Sequence, residues 1–280
     1  NYVTIDGVSL TGATTLTIHT LSNTAFIYND GIDFFDNSDH NVIQNIIFIN
    51  EDGGRPSGSG FVSENSALAP DSNLIQNNFV KQAGIALYAT GSSAHIAKGN
   101  IIRGNIIGTE TDSLIAFGII VTHSQNTIIE NNVVQNLRLT NSYDASNVGI
   151  YSYFDSGDII RNNTVQNIKS SSGYTSTGIL LSGGTGEVGN NNQVYNNMVY
   201  DIQSKSTQSD SRVTGIQMWQ QNSPKIFFNS VYLSGTGANH LGSAALYIDI
   251  QCTNVDLKNN IFVTTRNESP YTASSIYLLS

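Results

Sequence analysis

Arg103, Glu130 and Arg161 recur about 30 residues apart, each inside a short apolar segment. Two arginines flanking a carboxylate could serve as a base or as a clamp for the carboxylate of an acidic sugar. The same charges stacked at strand spacing would instead form a surface ladder, worth at most about 1 kcal/mol per pair. The segment "YNDGIDFFDNSDHN" gathers Asp30, Asp33, Asp36 and Asp39. Hard carboxylate oxygens so close together could take Ca²⁺, although their spacing is not that of an EF-hand loop. A solvated acidic turn is the other reading of that segment. Aromatic residues supply a third chemistry: Tyr88, Tyr151, Tyr153, Trp219 and Tyr247, with Asp249 beside them, recur at matching places in a series of "Gly-Ile" segments. Rings exposed in a row suit stacking on sugars, unless a long loop folds over them. The histidines at 19, 40, 95, 123 and 240 have no metal-ligand spacing, and only His123 follows one of the aromatic segments.

The elements that would position these side chains are repeats. "NVIQNIIFIN", "NLIQNNFV", "NIIRGNIIG", "NTIIENNVVQN", "DIIRNNTVQN", "NQVYNNMVYD", "PKIFFNSVYL" and "VDLKNNIFV" run through the chain. Aligned on Asn45, Asn77, Gly104, Asn131, Asn162, Asn196, Asn229 and Asn259, they repeat every 31 residues or so. Apolar columns lie two positions before the anchor (Ile43 to Leu257) and two after it (Ile47 to Ile261), which predicts that Ile129 and Val133 point into a shared core. The column between them, holding Gln44, Gln76, Arg103, Glu130, Arg161 and Lys258, is expected to point outward.

A second segment precedes most anchors: "GIDFF", "GIALY", "GIIVT", "GIYSY", "GILLS" and "GIQMW". Its apolar residues alternate with period two, as in a strand. No helical stripe is visible. Three short strands per repeat predict an all-β, parallel β-helix of about nine coils, a rod roughly 40 Å long at the usual strand spacing. The paired asparagines would turn the corner, since asparagine tolerates the left-handed conformation best after glycine. Their side-chain amides could also bond along the rod, as in stacked β ladders.

The pattern Gly-Ile-x-Leu followed by Asn-x-Ile-x-x-Asn-x-Val resembles the right-handed parallel β-helix repeat proteins of the pectate-lyase-like superfamily. It covers nearly the whole chain. That resemblance implies a fold shared by lyases, hydrolases, epimerases, tailspikes and adhesins, and a substrate face formed by one stacked sheet. Polygalacturonase-like hydrolases carry Gly-His-Gly and Arg-Ile-Lys segments, which this sequence lacks. Pectate-lyase-like enzymes need Ca²⁺-binding aspartates beside a basic residue, and no aspartate column accompanies Arg103 or Arg161.

Composition narrows the classes further. Charged residues make up 12% of the 280, and the formal charge is −9. Without clustered Lys and Arg, a nucleic-acid partner is not expected. No apolar run has the length of a membrane span. The lone Cys252 excludes an internal disulfide and a cysteine metal knuckle, and is read as a small buried residue. The expectation is therefore one β-helix domain over 1–280, a piece of a larger secreted or cell-surface bacterial protein with further domains. Its role would be structural or adhesive, with a polysaccharide or other extracellular-matrix or cell-surface partner along the aromatic face. The sequence specifies no cofactor with certainty, and its acidic segment could accommodate Ca²⁺. The competing reading is a polysaccharide lyase, epimerase or hydrolase acting on an extended glycan.

Overall fold

The structure is a computed structural model. It describes residues 2–8, 16–20, 31–34, 38–50, 59–63, 69–83, 85–109, 116–139, 146–170, 175–184, 186–205, 211–236, 241–267 and 270–279. One coil shows how the rod is built. Ile128–Glu130 is a first strand, Asn131 and Asn132 make a bend, Val133–Leu139 is a second strand, and Asn147–Tyr153 is a third. Each pairs in parallel with its counterparts in the coils before and after: Ile129 lies between Ile102 and Ile160. The result is three sheets of nine strands each, a right-handed parallel β-helix. The first sheet runs from Thr4–Asp6 to Asp256–Lys258, the second from Thr17–Thr20 to Ile261–Thr264, and the third from Ile32–Phe34 to Ala273–Leu278.

The bend after the first strand needs one residue with positive φ. Asn45, Asn77, Asn131, Asn162, Asn196 and Asn259 supply it with φ between 54° and 57°, and Gly104 with 64°. In the seventh of these coils the residue is Phe228 at 55°, which moves the expected anchor back by one from Asn229. Register fixes the correction, because Ile226 pairs with both Val194 and Leu257. Asn229 belongs to the inner column.

That inner column is a continuous ladder. Asn78, Asn105, Asn132, Asn163, Asn197, Asn229 and Asn260 each place a side chain inside the corner. The Asn105 amide donates to Asn132 Oδ1 at 3.0 Å, Asn132 to Asn163 at 3.0 Å, and Asn163 to Asn197 at 3.0 Å. The same oxygens accept the backbone N–H of the coil before, as Asn132 Oδ1 does from Asn105 N at 3.0 Å. The second amide hydrogen goes to a first-strand carbonyl, from Asn132 to Ile102 O at 3.0 Å. Backbone groups that the bend removes from strand pairing are thus satisfied inside the protein, where leaving them bare would be costly.

Because the inner asparagine points in, alternation turns the next residue out and the one after it in. Val133 is therefore half-buried and Val134 fully buried. Ile106 and Met198, in the column with Val133, are exposed, while Ile107 and Val199 are in the core. The expected inward column two positions after the anchor is corrected to three positions. Ile129 is buried as expected, and Ile43, Ile75, Ile102 and Ile160 stack with it. In the third sheet, glycine precedes the core isoleucine for a steric reason. A Cβ on Gly149 would sit 2.4 Å from Val165 Cγ1 and 2.7 Å from the Gly178 carbonyl oxygen.

Two stability changes follow. Replacing Asn132 by alanine strips the acceptor from two buried donors and should lower unfolding free energy by about 2–4 kcal/mol. Phe228→Asn should raise it by about 1 kcal/mol, since a half-exposed ring is exchanged for the residue that best tolerates positive φ. Urea unfolding of both variants checks these directions; a neutral N132A would remove the ladder from the account.

Candidate functional site

Outward side chains of the third sheet stand in columns fixed by its register. Ile120, Tyr151, Leu180, Gln217, Tyr247 and Tyr277 form one column, and Thr122, Tyr153, Ser182 and Trp219 form the next. Over these strands lies a groove of about 850 Å³. One wall is aromatic: Phe117 stacks on Tyr151 with centroids 6.3 Å apart, and Tyr151 lies 5.5 Å from Tyr153, which leans on Phe154. Trp219 lines the groove from two coils further on and is 47% exposed. Leu180 and Gln217 contribute to the lining between them. Gln217 Oε1 accepts from the Thr214 hydroxyl at 3.0 Å and the Thr177 hydroxyl at 3.3 Å, which turns its NH₂ away from the threonines. Asp249, held by the Gln251 N–H at 3.0 Å, also lines the groove.

Of the residues expected on this face, Tyr151, Tyr153, Trp219 and Asp249 come together in the groove. Tyr247 does not present its ring: it is only 3% exposed, because Arg212 covers it with the guanidinium carbon 3.8 Å from the ring centroid. Tyr88 occupies a matching place in the strand Ile85–Thr90, but its side chain lies outside the described residues. Arg212 itself was not singled out by sequence. It sits ahead of the "Gly-Ile" segment at a position without a repeating residue type.

Beneath the Tyr151 end is a buried pair of carboxylates. Asp155 and Asp158 are each 1% exposed and share one serine. Ser124 N donates to Asp155 Oδ1 at 2.8 Å, while the Ser124 hydroxyl donates to Asp158 Oδ2. Burial raises both acidities' pKa values, Asp158 to about 7, and the Asp158 charge raises Asp155 further. Burial likewise pushes the Tyr151 phenol up to about 12, with the Tyr153 and Asp155 charges adding to it. Asp158 occupies a second corner ladder, in which Asn41, Asn73, Asn100 and Asn192 hold the same place four residues before the bend. Its Oδ1 accepts from Thr127 N at 2.9 Å, as Asn73 Oδ1 accepts from Asn41 N at 2.8 Å. His123 stands nearby, on Phe154 and 3.4 Å from Glu187.

The three charged candidates lie on the first sheet, outside the groove lining. Arg161 pairs with Glu130 at 2.6 Å and donates to the Tyr195 hydroxyl at 2.9 Å. Arg103 donates to Gln76 Oε1 at 2.8 Å, and Gln76 to Gln44 at 2.5 Å. They form two stretches of an outward polar ladder. Asp30 and Asp36 and the Asp33 side chain lie outside the described residues; Asp39 accepts the Asp71 N–H at 2.8 Å. Among the described residues no three His, Cys, Asp or Glu side chains group as metal ligands. No described helix is long and apolar enough to cross a membrane. Cys252 is half-buried against the core, and burial raises its thiol pKa.

The model of the family described as "NosD: Periplasmic copper-binding protein (NosD)" matches residues 1–199. Among solved structures, the Streptococcus pneumoniae surface protein and adhesin PfbA is 10% identical with a TM-score of 0.37, over 100% of this chain and 89% of that one. The catalytic domain of a GH87 alpha-1,3-glucanase is 13% identical with a TM-score of 0.19, over 95% of this chain and 64% of that one. The A-module of the Azotobacter vinelandii mannuronan C-5 epimerase AlgE6 is 11% identical with a TM-score of 0.20, over 94% and 91%. No curated protein matches.

The buried carboxylates make stability depend on pH. A raised folded pKa means that the folded protein binds the proton more tightly, so the stability Asp158 contributes is complete below the ordinary value of 3.8 and is lost as pH rises toward about 7. Asp158→Asn installs the residue found at this place in four other coils and should be more stable than the wild type at pH 8, with the gap closing near pH 4. Thermal unfolding across that range checks it; parallel curves would mean that Asp158 carries no buried charge.

Proposed function

We propose that this chain, which belongs to the NosD family of right-handed parallel β-helix proteins, is an extracytoplasmic β-solenoid module that holds a polysaccharide along the groove of its third sheet. The observation that carries this reading is the half-exposed Trp219 sharing one groove with Phe117, Tyr151 and Tyr153. Flat apolar faces of sugar rings stack on such side chains, while Gln217, Asp249 and Arg212 offer hydroxyl-directed hydrogen bonds from the same lining. The groove spans several coils, so it suits a chain of sugars lying along the rod. A family described as periplasmic is in keeping with a module that works outside the cytoplasm.

Copper does not fit the residues described. Soft Cu(I) sites use cysteine or methionine, and Cu(II) sites use several histidines. Met218 is sealed in the core, Met198 is exposed on another sheet, and Cys252 stands alone with its thiolate disfavoured by burial. The NosD description therefore contributes fold and compartment to this reading, not a metal.

The geometry favours binding over cleavage. Hydrolysis of a glycosidic bond ordinarily uses two carboxyl groups across the scissile bond. Asp249 is the one carboxylate among the described residues that line the groove. Arg103 and the Glu130–Arg161 pair are engaged on another sheet.

Trp219→Ala should weaken glycan binding about five- to tenfold, the loss of one aromatic contact. Tyr232, equally exposed at 47% but on the second sheet, is the control, and its alanine variant should bind as the wild type does. Screening on a glycan array, followed by calorimetry on the best ligand, measures both. Equal affinity of W219A and wild type would count against the groove.

A further inference from the structure

The groove contains a cation whose placement says more than that a sugar could lie there. Arg212 opens the strand Arg212–Trp219, pairs with Thr175 in register, and reaches back over the column that holds Tyr247. Its guanidinium carbon is 3.8 Å from the Tyr247 centroid and 5.5 Å from that of Tyr277, and the two rings stack 5.5 Å apart beneath it. A guanidinium whose flat face is covered in this way keeps its N–H edge as the part that can meet a ligand. Among the described residues no carboxylate pairs with it; the ion pairs seen involve His123, Arg161, Lys169 and Lys258. Of the other arginines described, Arg161 has Glu130, Arg103 has Gln76 and Arg266 donates to backbone carbonyls, while Arg138 is exposed on the second sheet and does not line the groove.

We propose that Arg212 reads a carboxylate, and that the groove takes an acidic polysaccharide, a chain containing hexuronate residues. This rests on the reading of the groove as a glycan site and names its substrate class. The fork of guanidinium N–H groups matches the two oxygens of a planar carboxylate, whereas a neutral sugar hydroxyl satisfies one of them at a time. Stacking on Tyr247 and Tyr277 fixes the fork before the ligand arrives, so little side-chain freedom is lost on binding. A chain of net charge −9 does not attract a polyanion through its overall field. Recognition must then come from local contact, which makes the acid-selective element one residue. Asp249, near the Trp219 end of the groove, repels a second carboxylate there and accepts hydroxyl hydrogens instead. A chain that carries its acid group toward Arg212 and neutral hydroxyls toward Trp219 fits both ends.

Matched oligosaccharide pairs test this, each a uronate-containing chain and its carboxyl-reduced neutral counterpart of the same length. They are arrayed against the intact protein, and the best pair is titrated by calorimetry. The wild type should bind the acid at least about tenfold more tightly than its neutral partner, the range expected of a charge-assisted hydrogen bond. In Arg212→Gln that preference should vanish, the acid chain binding no more tightly than its neutral counterpart, and Arg212→Lys should recover only part of it. Equal binding of acid and neutral chains by the wild type would overturn the assignment of Arg212 yet leave the groove as a neutral-glycan site. A preference that survives in R212Q would also overturn it, placing the carboxylate elsewhere. Binding of neither member of any pair would overturn this inference and the groove reading together. The wild-type comparison decides the matter by itself if R212Q does not fold.

Discussion

The rod depends on the hydrogen bonding of buried asparagine side chains at its corners. A parallel strand pair satisfies its own backbone, but the bend that joins two sheets takes several N–H and C=O groups out of that pairing and into an apolar interior. The inner asparagine supplies an acceptor to the coil before, a donor to the coil after, and a second donor to a first-strand carbonyl, as Asn132 does for Asn105, Asn163 and Ile102. With those bonds made, coil height and lateral register are set together, because each amide must meet its neighbour within about 3 Å. The apolar columns then stack like on like, and the outward columns of each sheet inherit the same alignment.

The groove is a consequence of that alignment. Phe117, Tyr151 and Trp219 belong to three different coils and are far apart in sequence, yet register brings them to one lining. Arg212 gains its position the same way, since it stacks on a tyrosine contributed by the next coil. The face is preformed by the backbone, which is what a binding module needs if affinity is not to be lost to ordering. Where a corner ladder holds an aspartate instead of asparagine, at Asp158, the same scaffold carries a titratable group in its interior, next to the Tyr151 end of the groove.

Much of the fold was legible because stacking repeats the same physical demand in every coil. The asparagine anchors, the outward charged column, the Gly-Ile strands and two of the aromatic columns follow from spacing alone. Two misreadings have a common origin. Counting the two corner asparagines as a symmetric turn hid the fact that the second one points inward, and so shifted the second-sheet core from Val134 to Val133. It also allowed Asn229 to be taken for the bend residue, where Phe228 adopts the left-handed conformation at a cost that no sequence preference announces. Asp158 could have been found, for it interrupts a column of asparagines four residues before the bend. Arg212 could not, because nothing repeats at its position. Tyr247 looked like its neighbours in sequence and differs only through the arginine above it.

The sequence contains one tryptophan, and Trp219 stands half-exposed in the groove, so its emission reports occupancy of that site and no other. Titrating the protein with a glycan whose binding calorimetry has established should give a saturable blue shift or quench with the same dissociation constant. Binding by calorimetry with no change in Trp219 emission would place the glycan elsewhere on the rod and contradict the account.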